Sequence, residues 1–135
     1  LLIKEEPEIF HQMEQTLSAV ENFLNKEMTL KELKLHLAGA RSAAKEFADS
    51  RTADPVSLAA ARAVSTACAA AQTPTNAFGF LLYGAAACAY HSAGLSEAAA
   101  TYDRLAEEEL QGALQSLQAV AVPNEPHPVS IRWNC

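Results

Sequence analysis

The sequence predicts an all-α protein, and three of its features lead to that prediction. Alanine, a strong helix former, accounts for about one residue in five. Valine and isoleucine, which favour strands, are scarce. Apolar residues recur at steps of three and four, and nowhere does an apolar and polar alternation persist. At 135 residues the chain fits a single domain, so we expect residues 1–135 to form a compact bundle or array of about five helices with an extended C-terminal tail.

The first two helices are predicted from their starting residues and their apolar stripes. Pro7 suits the first position of a helix, which we expect over residues 7–25. Its apolar stripe consists of Phe10, Met13, Leu17, Val20 and Leu24. Thr29 and Glu32 have the spacing of a capping box, which predicts a second helix over residues 30–49. Its inner side is predicted to carry Leu30, Leu33, Leu37, Ala40, Ala44 and Phe47, and its outer side Lys31, Lys34, Arg41 and Lys45.

The third and fourth helices are predicted to form the core. Asp54 and Pro55 combine a capping side chain with a proline at the first helical position, which predicts a helix over residues 55–72. Arg62 is its only charge, and its many alanines allow neighbouring helices to approach closely. A fourth helix is expected over residues 75–91, apolar on almost every face and therefore central. Its large apolar positions are Phe78, Phe80, Leu81, Leu82 and Tyr83.

Two glycines lie inside this fourth helix. Gly79 and Gly84 each cost about 1 kcal/mol relative to alanine in a helix interior, so something should offset the cost. Close contact between helices is the structural explanation. Exposure of the backbone to a ligand is the functional alternative.

A fifth helix and a tail complete the chain. Ala93 and Gly94 predict the end of the fourth helix, and Ser96 with Glu97 predicts a new start, giving a fifth helix over residues 96–120. Its buried face is expected to carry Ala99, Tyr102, Ala106, Leu110, Ala113, Leu117 and Val120. Residues 122–135 are predicted to be an extended tail that packs onto the body through Ile131 and Trp133. The prolines that exclude further helix are Pro123, Pro126 and Pro128.

The charge balance limits the classes of partner. Ten Lys and Arg residues against sixteen Asp and Glu residues give a formal net charge of −6. This is the wrong sign for binding a phosphate backbone or an anionic membrane surface, so no nucleic-acid partner and no membrane partner are expected. An acidic surface is compatible with a basic protein partner, although acidity also serves solubility alone.

Cysteine usage and hydropathy predict a cytoplasmic location. Three cysteines are an odd number, and Cys68 and Cys88 sit inside apolar helical runs, so no disulfide framework is expected; Cys135 lies in the tail. Leu1, Leu2 and Ile3 are followed at once by charged residues, which predicts no secretory signal. The uncharged stretch 63–96 is split at residues 72–76 into pieces too short to span a bilayer.

Patterns for metal binding and catalysis are weak. A di-iron site in a helical bundle uses two Glu-x-x-His motifs, and the chain has one, from Glu8 to His11. The cysteine spacings match no zinc signature. The histidines are scattered along the chain, which places no base beside a nucleophile: His11, His36, His91 and His127. We therefore expect no metal, no cofactor and no catalytic residue, and the protein is not predicted to be an enzyme.

Two local groups keep alternatives open. Cys88 and His91 are three residues apart and could touch on one face of a helix, as a catalytic pair would. Cys88 is better explained as a small buried apolar residue, and His91 as a residue near a helix end. A deep polar pocket beside Tyr83, Tyr90 and His91 would favour an enzyme or a small-ligand binder. The acidic triplet Glu107, Glu108 and Glu109 is the candidate partner-binding site for a cationic partner, or otherwise a solvated helix face.

Several segments resemble bacterial immunity proteins of the immunity-five-like family. They are Met28-Thr29-Leu30-Lys31-Glu32-Leu33, Ala59-Ala60-Ala61-Arg62-Ala63, Ala69-Ala70-Ala71-Gln72-Thr73-Pro74-Thr75-Asn76-Ala77-Phe78-Gly79 and Leu82-Tyr83-Gly84-Ala85-Ala86-Ala87. The resemblance covers roughly residues 29–95. It implies an all-helical domain that protects its producer by binding a toxin domain, without cofactor or catalysis, and it assigns no functional residue.

Two functions of different classes follow. The leading hypothesis is a protein that neutralises a toxin domain by direct binding, which predicts tight pairing with one protein partner. The alternative is a structural or self-associating helical protein, which predicts a stable homodimer or larger homo-oligomer.

Overall fold

The computed structural model describes residues 3, 7–50, 53–128 and 130–132. These residues form five α-helices and one turn of 3-10 helix, and they contain no strand. The elements are α1 (Pro7–Leu24), α2 (Leu30–Asp49), α3 (Pro55–Ala70), the 3-10 turn (Pro74–Asn76), α4 (Ala77–Ala93) and α5 (Ala99–Val120). The all-α prediction is therefore confirmed.

Helix starts follow the capping chemistry that the sequence predicts. At α2 the side chain of Thr29 accepts a hydrogen bond from the backbone N–H of Glu32, and the Glu32 carboxylate accepts one from the backbone N–H of Thr29. At α3 the Asp54 carboxylate accepts the N–H of Ser57 at 2.8 Å. Each side chain satisfies amide groups that the first helical turn leaves without an internal partner.

The helices pack around α3. It contacts α1, α2 and α4, and its largest interface is with α4. α1 also packs on α2, whereas α5 contacts α4 alone among the described helices. Seven residues of α3 are buried, and five of them are small enough for close helix approach: Ser57, Ala59, Ala60, Ala61 and Ala63. This confirms α3 as a core helix.

The largest fully buried side chains belong to residues from four parts of the chain. They are Ile3, Met13, Leu33, Thr16 and Cys68. The Thr16 hydroxyl donates to the backbone oxygen of Gln12 at 2.8 Å, so its polar group is satisfied inside the core.

The buried side of α1 differs from the predicted stripe. Leu17 and Leu24 were expected inside, but they are 39% and 67% exposed. The buried positions are Ile9, Met13, Thr16 and Ala19. The predicted stripe contained only apolar residues, whereas the polar Thr16 takes a core position because its hydroxyl is satisfied by an internal hydrogen bond. On α2 the predicted inner side is confirmed at Leu33, Leu37, Ala40 and Ala44, whereas Leu30 is exposed.

The large residues of α4 also lie differently from the prediction. Phe78, Phe80 and Leu82 are 50%, 44% and 62% exposed, and the buried residues are Ala85, Ala87 and Ala89. α4 is covered by α3 on one side and α5 on another, and these Ala-rich interfaces place small side chains inside. Only part of this apolar helix is therefore central.

α5 begins at Ala99, three residues later than predicted, and it is only half covered. α4 ends at Ala93, and Gly94 then adopts a positive φ of 76°, as a helix-stopping glycine does. The Tyr102 hydroxyl donates to the Gly94 oxygen at 2.9 Å and accepts the Glu97 N–H at 3.0 Å. These bonds keep Glu97 in the connecting loop, which is why the helix does not start at Ser96.

The predicted buried face of α5 is only partly covered. No residue of α5 is fully buried, and Leu117 and Val120 are exposed. α5 has 22 residues against 17 in α4, so its last turns extend past the one helix on which it packs.

The tail contains no helix over its described residues, as the prolines predict. It is not simply extended, because the chain turns at Pro123 and Asn124, where Asn124 has a φ of 55°. Ile131 is half-buried, whereas Trp133 and Cys135 lie outside the described residues.

Candidate functional site

α5 presents an open face to solvent because α4 is the only described helix that it contacts. A shallow cleft there is lined from α5 alone, by Asp103, Ala106, Glu107, Leu110, Gln111 and Leu114. We call these six residues the α5 face. Their spacing of three and four places them on one side of the helix. An apolar row bordered by carboxylates is the composition of a protein interface, which has an apolar centre and a polar rim.

The acidic triplet, which is the predicted partner-binding site, does not form a single patch on α5, because successive helical residues point about 100° apart. Glu107 belongs to the α5 face, and it also lines a second cleft of α5 together with Glu108. Glu108 accepts a hydrogen bond from Arg104 at 2.6 Å, in an exposed ion pair. Glu109 adjoins Cys88 of α4.

The two described thiols are poor nucleophiles. Burial raises the pKa of Cys68 to about 11. The pKa of Cys88 is also raised, first by burial and then by the neighbouring charge and hydrogen bond of Glu109. Because the thiolate is the reactive form, the raised pKa of each thiol lowers its reactivity near neutral pH. Glu109 is the charged group that acts on Cys88, and His91 is exposed to solvent.

The structure places Tyr83 and Tyr90 against different neighbours. The Arg62 guanidinium carbon lies 5.7 Å from the centre of the Tyr83 ring, which lines a cleft between α2, α3 and α4. Tyr90 instead packs edge-on against Tyr102, with the ring centres 5.3 Å apart. The two tyrosines are seven residues apart on α4, which is about 10 Å along the helix axis, so they contact different residues.

Among residues 3, 7–50, 53–128 and 130–132, no group of three His, Cys, Asp or Glu side chains is placed to hold a metal ion. Nor is any described helix both long and apolar enough to cross a membrane.

One of the comparisons with known proteins identifies a family. A family model described as "Imm-5 like putative immunity protein" matches residues 2–117 of the 135-residue chain. No curated protein and no solved structure matches the chain. The match extends from the beginning of the chain to the last turns of α5, so it includes all the packed helices and the α5 face. The chain therefore belongs to the Imm-5 like family of immunity proteins.

Proposed function

We propose that this protein neutralises a toxin domain by binding it directly, without cofactor or catalysis, in the cytoplasm of the cell that it protects. Membership of an immunity-protein family supports a protein partner. The observation that carries the proposal is the α5 face, an amphipathic helix surface that no described helix covers. A net charge of −6 favours a toxin domain with a basic surface.

Within the acidic triplet, Glu107 is the residue we assign to partner contact. It borders the apolar row of Leu110 and Leu114, so a partner seated on those leucines would reach its carboxylate. Glu108 already pairs with Arg104, and Glu109 adjoins Cys88 at the α4 contact. Leu114 is 54% exposed and supplies the apolar centre. Leucine truncation at such a centre should reduce affinity more than loss of a rim charge.

Growth rescue tests the function. The toxin domain encoded beside this protein would be expressed with and without it, and surviving cells counted. We expect survival with the wild-type chain. If the neighbouring domain is toxic and this chain does not relieve the toxicity, neutralisation of that toxin is wrong.

A second measurement tests the surface separately. Glu107→Gln and Leu114→Ala would be compared with Glu14→Gln, an exposed charge change on α1, which does not contact α5. Leu114→Ala should weaken toxin binding by about tenfold or more. Glu107→Gln should weaken it several-fold and reduce its sensitivity to salt, and Glu14→Gln should bind as the wild type does. If all three variants bind alike while rescue persists, the function stands and the α5 face is the wrong surface.

Exposed apolar side chains also favour a second candidate, self-association. Leu82 on α4 and Leu114, Leu117 and Val120 on α5 are all more than half exposed. A homodimer that buries them would be the structural alternative to toxin binding. Light scattering tests self-association. If the wild type is a homodimer, Leu117→Glu should convert it to a monomer. A wild type that is itself monomeric would exclude self-association.

A further inference from the structure

A groove runs between α2 and α3 on a surface separate from the α5 face. It consists of two adjoining clefts of about 430 and 180 Å³, which share Arg41, Ala69 and Asn76. The larger cleft lies between α2, α3 and the beginning of α4, and the smaller one continues toward the start of α2. We call the combined surface the α2–α3 groove. It has no lining residue in common with the α5 face.

The charge of this groove is opposite to that of the whole protein. Four of the ten Lys and Arg residues line it, against one of the sixteen Asp and Glu residues, which is Asp49. The four cations are Lys34, Arg41, Lys45 and Arg62. The described residues contain one ion pair, Arg104 with Glu108, and it lies on α5. The cations of the groove are therefore available to an anionic ligand.

Helix geometry aligns the cations. Lys34, Arg41 and Lys45 are spaced by seven and four residues, so they lie on one side of α2 over about 16 Å. Arg62 faces them from α3, and its guanidinium lies over the Tyr83 ring, an arrangement that orients a cation while leaving its N–H donors available.

Polar groups on the third wall add to the positive potential. α4 begins at this groove, with Asn76 preceding its first residue and making no side-chain cap. The positive end of the α4 dipole therefore lies beside the groove. Ser65, Thr66 and Asn76 supply further hydrogen-bonding groups.

We propose that the α2–α3 groove binds an acidic peptide segment, with several Asp or Glu side chains in an extended stretch of a partner protein. The row of cations in the α2–α3 groove spans about 16 Å, which is the length of roughly five residues of an extended chain. A single phosphate or carboxylate group is much shorter than this row. A nucleic acid fits less well, because a longer polyanion would meet the acidic remainder of the surface. The groove is a second recognition surface, and its assignment does not depend on the identity of the toxin.

Peptide binding tests the proposal on the full chain. A fluorescent hexaglutamate peptide and its hexaglutamine counterpart would be titrated with the protein and followed by anisotropy. The acidic peptide should bind, the neutral one should not, and binding should weaken as salt is added. Arg41→Gln and Lys45→Gln should each weaken binding by about tenfold, whereas Arg132→Gln, an exposed charge change in the tail, should leave it unchanged. Unchanged thermal melts would show that the variants fold.

Three outcomes would overturn the proposal. Equal binding of the two peptides would show that the carboxylates are not recognised. Equal affinities of the wild type, Arg41→Gln and Lys45→Gln would place the peptide elsewhere. Tighter binding of single-stranded nucleic acid, with the same loss in Arg41→Gln, would assign the groove to nucleic acid instead.

Discussion

Thr29 and Glu32 show how much of this fold is decided by pairs of nearby residues. The Glu32 carboxylate accepts hydrogen bonds from the Thr29 hydroxyl at 2.6 Å and from the Thr29 backbone N–H at 2.9 Å. These two bonds, the side-chain one first, hold the pKa of Glu32 below its usual value of 4.5. The charged form of Glu32 is consequently the form that the start of α2 prefers.

This pKa shift predicts a pH dependence of stability. A carboxyl group whose pKa is lower in the folded state stabilises the protein above its unfolded pKa, and the contribution is lost as pH falls through the folded pKa. We expect the wild type to exceed Glu32→Gln in unfolding free energy at neutral pH, and the difference to shrink as pH falls below 4.5. Urea titrations across the acid range would measure it.

The Thr29→Ala variant is the control for this prediction. It removes the hydroxyl that makes the larger contribution to the shift, so introducing Glu32→Gln into that background should change the pH dependence much less. If the unfolding free energies of the wild type and Glu32→Gln changed in parallel with pH, the assignment of this pH dependence to Glu32 would be wrong.

At the scale of helices, the close approach of α3 and α4 is controlled at one glycine. A methyl group built on Gly79 would lie 3.1 Å from Cγ2 of Thr66, whereas one built on Gly84 meets nothing within 4 Å. The Thr66 hydroxyl donates toward the oxygens of Arg62 and Ala63, which fixes its side chain. Close helix contact therefore explains Gly79 as predicted, but it does not explain Gly84.

The two glycines predict different effects of the same substitution. Gly84→Ala should stabilise the protein by about 0.5–1 kcal/mol, because alanine favours helix and the added methyl group meets open space. Gly79→Ala should stabilise the protein less than Gly84→Ala does, or destabilise it, because the side chain of Thr66 must move. Thermal and chemical unfolding would compare them, and Thr66→Ser should restore the gain at position 79 by removing Cγ2. Identical effects at both glycines would contradict the close-contact explanation.

Helices were predictable from the sequence where their signals are local, whereas their buried sides were predicted for α2 but not for α1 or α5. Caps and stops depend on residues within a few positions, so α2, α3 and the end of α4 were placed nearly correctly. Which side of a helix is covered depends on its neighbours. The stripe of α1 was misjudged at Leu17, and the buried face of α5 was overestimated at Leu117, because no periodicity shows that α4 is the one described helix beside α5.

At the scale of the whole molecule, the two candidate surfaces differ in how far the sequence pointed to them. Glu107 was named from its acidic run, but its position on the α5 face and the separation of Glu109 from it follow from helix geometry. The α2–α3 groove was missed because Lys34 and Arg41 match an ordinary solvated helix face. Only tertiary packing brings them opposite Arg62. The pattern of outward charges on α2 was the one signal available.

Among the described helices α5 is attached through α4 alone, and this has a consequence for amide hydrogen exchange. A helix with no fully buried residue and a single neighbour can open while the other helices stay folded, so its amide protons should exchange through local opening. The amides of α3, which has three neighbouring helices, should exchange only through global unfolding. Mass spectrometry of deuterium uptake would separate the two, and equal protection would show that they unfold together. If α5 does open independently, a ligand seated on it would slow its exchange before any other part of the protein responds.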